Sequence, residues 1–234
     1  MNRGHVSARP GLCARYVALC CVVVAAAVHG ASAAEAPADE KSVDYVIVAT
    51  GTELLAGGYA DAHSPFLTRT LHPRGLHCVL IMIVDDRLEE IEKAVRLASQ
   101  RAPLVIVTGG LGPTEDDATR QAISKATGIP LVEHPELLEA VSKRFHTPID
   151  QLLPNLRRQT QTPKGGRYLE NPHGTAAGLV FETDRGLIVA LPGPPRELQP
   201  MVNDQLLPLL AERFGIAPVG GLLRIRFVGI GESS

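Results

Sequence analysis

Between Asp44 and Thr127 three short aliphatic runs alternate with helical segments, and each run stops at a glycine or an acid. The runs are Asp44–Thr50 before Gly51, Cys78–Val84 before Asp85-Asp86, and Leu104–Thr108 before Gly109. Apolar runs without polar alternation are strands buried on both faces. The segments between them carry helix marks: Pro65–Arg74 is closed by Gly75, and Arg87–Gln100 sets Leu88, Ile91, Val95, Leu97 and Ala98 along one stripe. A third helix, about Asp117 to Thr127, is stopped by Gly128-Ile129-Pro130. Strand–helix–strand order requires parallel strands joined by right-handed crossovers, so the chain is α/β: three layers around a mostly parallel central sheet. Ligands of such sheets sit at the carboxyl ends of the strands. Here those ends carry the glycines.

The second half is less regular. Pro135–Phe145 reads as a helix and Pro148–Thr162 as another. Leu179–Phe181 and Leu187–Leu191 flank Thr183-Asp184-Arg185-Gly186, a hairpin signal. Pro195–Phe214, interrupted by Pro200 and Pro208, supplies one or two closing helices, and Leu222–Val228 reads as a further strand. The domain is therefore expected over residues 43–216, with residues 217–234 beginning a small second domain.

The amino terminus has the form of a secretory signal. Arg3, Arg9 and Arg15 precede the apolar run Tyr16–Val28, and Ala31-Ser32-Ala33 offers a cleavage site. The run is shorter than the ~20 apolar residues a bilayer crossing needs, so a cleaved leader (1–33) is favoured over a membrane anchor. The expectation is export to the periplasm or outside the cell, without stable membrane insertion. Ala34–Ser42 is then a linker. Residues 1–33 hold three of the 23 Lys+Arg and none of the 25 Asp+Glu, leaving a mature net charge of −5. That balance argues against non-specific nucleic-acid binding. Of the four cysteines only Cys78 lies beyond the leader, where it reads as a buried core thiol.

Chemistry concentrates in Thr108-Gly109-Gly110-Leu111-Gly112-Pro113-Thr114-Glu115-Asp116-Asp117-Ala118-Thr119. The segment follows a strand and opens a helix, so free backbone N–H groups converge where an anion could bind. Its glycines let backbone approach a ligand. No lysine is present, so this is not a Walker A loop, and three acids would repel a bare phosphate. Two solutions remain: a metal-bridged phosphate, or carboxylates accepting hydrogen bonds from a donor-rich heterocycle such as a pterin. Asp116 or Asp117 could instead cap the following helix, Asp85 the helix at Leu88, and Glu53 a helix of its own.

The same segment resembles the signature loop of the molybdopterin-binding domains, and its Leu-Gly-Pro-Thr-Glu-Asp-Asp form is similar to that of the CinA (competence/damage-inducible protein A) family. Ordered matches follow: Gly51-Thr52-Glu53-Leu54-Leu55, Val84-Asp85-Asp86, Asn171-Pro172-His173-Gly174-Thr175-Ala176-Ala177-Gly178 and Leu191-Pro192-Gly193-Pro194-Pro195. The resemblance implies a Rossmann-like domain of the molybdopterin-binding type and a homo-oligomer. Asp85 and Asp117 would be paired pocket acids, and would hold a divalent cation such as Mg, with Glu53 as a further catalytic acid. Gly109, Gly110 and Gly112 would wrap a phosphate, with Thr108 and Thr119 donating to it. Gly51 and Thr52 would form a neighbouring wall, Gly174, Thr175, Gly193 and Pro194 would close the pocket, and Arg158 would supply a cation.

Two departures from that family bear on the ligand. Asp61-Ala62-His63 stands where relatives carry an Asp/Asn-Thr-Asn run, so pocket hydrogen bonds are lost; His63 is either a replacement or a surface histidine. Arg157-Arg158 replaces a lysine, or belongs to a solvated helix face. The tail Phe227-Val228-Gly229-Ile230-Gly231-Glu232-Ser233 resembles the start of the domain that follows in longer relatives, and the resemblance leads to the expectation that the nicotinamide-nucleotide deamidase activity of such proteins is lacking. The leading expectation is a metal-dependent nucleotide pyrophosphatase acting on ADP-ribose-type diphosphates. The alternatives are a molybdopterin- or nucleotide-binding domain of molybdenum-cofactor assembly and a non-catalytic ligand-binding module. In each the partner is a small nucleotide or pterin.

Overall fold

The computed structural model describes residues 42–216. The leader, most of the linker and the strand expected at Leu222–Val228 lie outside them.

Strand β1 (Val43–Thr50) leads through the short helix α1 (Thr52–Leu55) to α2 (His63–Leu71), a 3-10 turn His72–Arg74 and β2 (Leu76–Val84). Helix α3 (Leu88–Arg101), β3 (Leu104–Thr108) and α4 (Thr119–Thr127) complete the alternating half. Then come β4 (Leu131–Glu133), α5 (Pro135–Phe145), a 3-10 turn Ile149–Gln151, α6 (Pro154–Gln159), β5 (Gln161–Pro163) and β6 (Arg167–Leu169). The hairpin β7 (Gly178–Thr183) and β8 (Gly186–Leu191) precedes α7 (Pro195–Met201), a π-helical turn Val202–Leu206 and α8 (Leu207–Phe214).

The main sheet runs β2-β1-β3-β8-β7-β6, with β2, β1, β3 and β8 parallel and the last two pairs antiparallel. A separate antiparallel pair joins β4 to β5. The sheet has two buried faces, which is why the central strands read as unbroken apolar runs. Tyr45, Ile47, Leu104, Ile106, Val189 and Leu191 pack on α2, α7 and α8. Val46, Val48, Val105, Val107 and Ile188 pack on α3 and α4 through Ile91, Val95 and Ile123. The α/β expectation holds, with a largely parallel sheet between helical layers.

Several local expectations need correction. Pro148–Thr162 is not one helix. Pro154 forces the preceding residue into extended backbone, so Leu153 separates the 3-10 turn from α6, and the chain turns into β5 at Gln161. The short strands β4, β5 and β6, three residues each, are too brief to leave a period. Strand β2 is an edge, so its residues alternate: Val79, Ile81 and Ile83 are exposed while the intervening side chains are partly covered. Cys78 on this strand is half-buried rather than a fully buried core thiol. Its Sγ lies 3.7 Å from the Leu80 carbonyl, and burial raises its pKa.

The closing segment resolves as two helices joined by the π turn. Pro208 sits in the first turn of α8, where its missing N–H does least harm, and Pro200 lies inside α7 just before the wider π turn. The hairpin forms as expected, with Thr183 Oγ1 donating to the Gly186 carbonyl at 2.9 Å.

Candidate functional site

The carboxyl ends of β1, β3 and β8 meet, and their loops are tied to one another by backbone. Gly51 N donates to the Val84 carbonyl at 3.1 Å, and Gly109 N to the Leu191 carbonyl at 3.0 Å. Gly109 (φ 96°) and Gly110 (φ 66°) take left-handed conformations that carry the chain from β3 into the loop. A Cβ on Gly109 would lie 2.7 Å from Thr50 Oγ1, and one on Gly110 would lie 2.3 Å from Thr119 Oγ1. Thr119 N donates back to the Gly110 carbonyl at 3.2 Å. Both positions are glycine because neither the backbone nor the space admits a side chain.

Around this frame lies a cavity of about 410 Å³. It is lined by Gly110, Gly112 and Asp117 from the β3 loop, Gly174 and Thr175 from the loop before β7, and Gly193 and Pro194 from the loop after β8. Seven of the residues singled out in the sequence are thus brought together. Thr108, Gly109, Thr119 and Gly51 are buried and form the frame beside it. Thr52, Glu53 and Asp85 go elsewhere, to a second cavity of 830 Å³ that they share with Asp86, Glu115 and Asp116. Arg158, half-buried on α6, does not line the first cavity.

The acids divide accordingly. Asp117 does not cap α4, which starts two residues later; its carboxylate accepts from Thr114 N at 2.8 Å and from Thr114 Oγ1, closing the loop on itself. A Cβ on Gly112 would lie 2.5 Å from Asp117 Oδ2. Asp85 does not cap α3 either. It accepts from Thr52 Oγ1 at 3.1 Å and pairs with Arg87 at 3.3 Å, while Asp86 takes Thr52 N at 2.8 Å. The Glu53 carboxylate folds back beside Gly51. Glu115 and Asp116 are exposed. Asp85 and Asp117, expected as a pair, line separate cavities, and among the described residues no group of three His, Cys, Asp or Glu could hold a metal ion.

Positive charge reaches the glycine-loop cavity by a route the sequence did not suggest. Arg144 on α5 and Arg196 on α7 line it, with Arg144 Nη1 donating to the Gly174 carbonyl at 3.2 Å. Beneath the loop Arg120 is 1% exposed, donates to the Leu111 carbonyl at 3.3 Å, and leaves Nε without a partner among the described residues. Burial pulls its pKa down to about 10, with Asp117 opposing the fall and Arg158 adding to it. Arg120 therefore stays charged at neutral pH.

Sequence reasoning also missed Glu197, Asn171 and Gln159. Glu197 is 8% exposed and lines the cavity; its Oε2 accepts from Asn171 Nδ2 at 2.8 Å. The same Asn171 nitrogen donates to the Ala176 carbonyl at 2.9 Å. Asn171 lay inside a recognised segment and Glu197 two residues past another, so proximity to the motifs was the available signal. Arg144 and Gln159 had none. Beside the site, Asp61 Oδ1 accepts from the amides of His63 and Ser64 at the start of α2, and the His63 ring lies 3.2 Å from Thr108 Oγ1. His63 is thus in contact with the end of β3 and is not a free surface histidine.

Residues 46–212 match the family described as a probable molybdopterin binding domain. The "Putative competence-damage inducible protein" of Moorella thermoacetica is 43% identical over 185 residues, 79% of this chain and 44% of that protein. A protein of the same name from Symbiobacterium thermophilum is 40% identical over 190 residues, 80% of this chain and 45% of its own length. The chain spans less than half the length of these curated relatives. Among solved structures, the CinA protein of unknown function from Thermoplasma acidophilum is similar at a TM-score of 0.68 and 28% identity, covering 72% of this chain and 98% of that one. The molybdopterin biosynthesis enzyme MoaB of Thermus thermophilus shares the fold at a TM-score of 0.50 and 22% identity, over 76% and 99% of the two chains.

Proposed function

The chain belongs to the molybdopterin-binding-domain family, with the competence-damage inducible proteins among its relatives, and from that premise we propose that it binds a phosphorylated pterin or nucleotide in the glycine-loop cavity. One observation carries the reading: a strand-end glycine loop lines a 410 Å³ cavity together with Arg144 and Arg196, above the buried cation of Arg120. Glycines 110 and 112 let a phosphate approach the backbone, and the guanidiniums match phosphate oxygens in pairs. Only Asp117 of the three loop acids lines this cavity, joined there by Glu197. The repulsion expected from the linear sequence is therefore reduced.

Hydrolysis of an ADP-ribose-type diphosphate with a divalent cation is the second reading, favoured by Glu53, Asp85, Asp86, Glu115 and Asp116 lining one cavity. As placed, these carboxylates do not make a ready cation site, because Thr52 engages Asp85 and Asp86 and no three acids converge among the described residues. Binding is accordingly the primary conclusion, and turnover is a separate question.

Calorimetric titration with ADP-ribose, ATP and a phosphorylated pterin tests the binding reading. Replacing Arg144 and Arg196 by glutamine in turn should weaken the preferred ligand by about tenfold each, since a hydrogen bond to a charged group contributes roughly 1.5–3 kcal/mol. Melting temperatures should hold, because both side chains are exposed. Absence of binding by the wild type, or affinity indifferent to both arginines, would reject the reading.

A further inference from the structure

Gln159 ends α6 and borders the glycine-loop cavity. It is 1% exposed, and neither Nε2 nor Oε1 has a hydrogen-bond partner among the described residues. A buried amide with both ends unpaired carries a full desolvation penalty, so a native structure holds one only where something repays it. Thr119 Oγ1, Arg120 Nε and His134 Nδ1 are also buried without a partner among the described residues, but none of these side chains lines the cavity. Gln159 does, and it leaves both a donor and an acceptor unpaired there.

Resting on the binding reading above, we propose that Gln159 is a specificity-determining residue whose amide reads a planar heterocycle presenting a donor beside an acceptor. The charged side chains on the cavity wall cannot do this. Arg144 and Arg196 only donate, and the carboxylates of Asp117 and Glu197 only accept. A glutamine amide offers one of each at the spacing of a nucleobase edge, which is how glutamine pairs with adenine in the major groove. The glycine loop and the arginines take the phosphate end, and the heterocycle reaches the wall at Gln159. Its amide atoms lie in the wall rather than in the open volume, so engagement requires the side chain to rotate toward the ligand. Adenine and pterin edges both present the required pair, and the experiment separates them.

Gln159→Leu and Gln159→Met remove donor and acceptor at similar volume. Wild type and both variants are titrated with ADP-ribose, with a phosphorylated pterin and with inorganic pyrophosphate, which has no heterocycle. The expected result is a loss of about tenfold or more for one heterocyclic ligand, unchanged pyrophosphate affinity, and melting temperatures equal to or above wild type, because an unpaid penalty has been removed. Whichever heterocycle loses affinity is the one read. Unchanged affinity for both heterocycles in folded variants overturns the inference and leaves the binding reading intact. A melting temperature lowered in both variants, with affinities preserved, assigns Gln159 to structure and also overturns it. Failure of the wild type to bind any ligand brings down the binding reading itself.

Discussion

A Cβ on Gly174 would lie 2.0 Å from Glu197 Oε2 and 2.5 Å from Asn171 Nδ2. The missing side chain is what lets the buried Glu197 carboxylate stand in the cavity wall with its Asn171 partner behind it.

Gly174→Ala should therefore displace Glu197 and Asn171 together, since Glu197 is 8% exposed and has little room to retreat. Overpacking of this kind costs about 1–3 kcal/mol, read as a lower melting temperature, and ligand affinity should fall about tenfold. Glu197→Ala in the same background should restore part of the stability, because it removes the tightest clash while leaving that with Asn171; non-additivity in the double mutant is the measurement. Additive losses would place the cost in the backbone instead.

The fold was legible because the alternating half obeys two rules at once, buried runs for parallel strands and a glycine or acid where each run ends. Gly110 and Gly112 were readable as cavity residues because they lie between a strand end and a helix start, although the fold requires glycine at 110 for its backbone and for the space beside Thr119. Asp117, expected as a pocket acid, lines the cavity, and its carboxylate holds Thr114 rather than capping the helix, the alternative its position also allowed. Its separation from Asp85 could not be read at all. Both acids follow strand ends in the sequence, and only the bend of the loop sends Glu115 and Asp116 toward Asp85 while Asp117 faces Gly112. Arg144 and Gln159 come from a region with short strands and interrupted helices, where no period marks which face is inward.

Asp61 substitutes for a capping residue at α2, accepting from the amides of His63 and Ser64 at 2.8 and 3.1 Å. Asp61→Ala should cost about 1 kcal/mol, as loss of an N-terminal cap does, a fall of roughly 2–4 °C for a domain this size. The His63 ring would lose its position against Thr108. An NMR titration of the His63 ring in both proteins checks this; identical histidine signals would show that the cap does not hold the ring.

The basic start, apolar run and Ala31-Ser32-Ala33 of the sequence lead us to expect cleavage, with a mature chain beginning near Ala34. Amino-terminal sequencing of protein recovered outside the cytoplasm should read Ala34 first or within a few residues of it. An intact Met1 chain retained in the cytoplasm would remove the case for export.

The cation requirement separates binding from turnover. Two unit charges ~4 Å apart interact by about 4 kcal/mol at an effective dielectric near 20, enough for three acids beside a phosphate cradle to demand an escorting metal. In the fold, Glu115 and Asp116 are exposed and line the other cavity, while Arg144 and Arg196 face the cradle and Arg120 lies below it. Binding of ADP-ribose should then survive a chelator with affinity changed by no more than about twofold. Calorimetry with chelator and with added magnesium measures it, and loss of binding in chelator would return the metal to the binding step. Release of monophosphate products is assayed on the same samples. Turnover confined to the magnesium sample supports the hydrolytic reading, since a cation both neutralises a diphosphate and activates water, whereas equal turnover in chelator refutes a metal mechanism. Tight binding without turnover in either sample identifies the domain as a binding module.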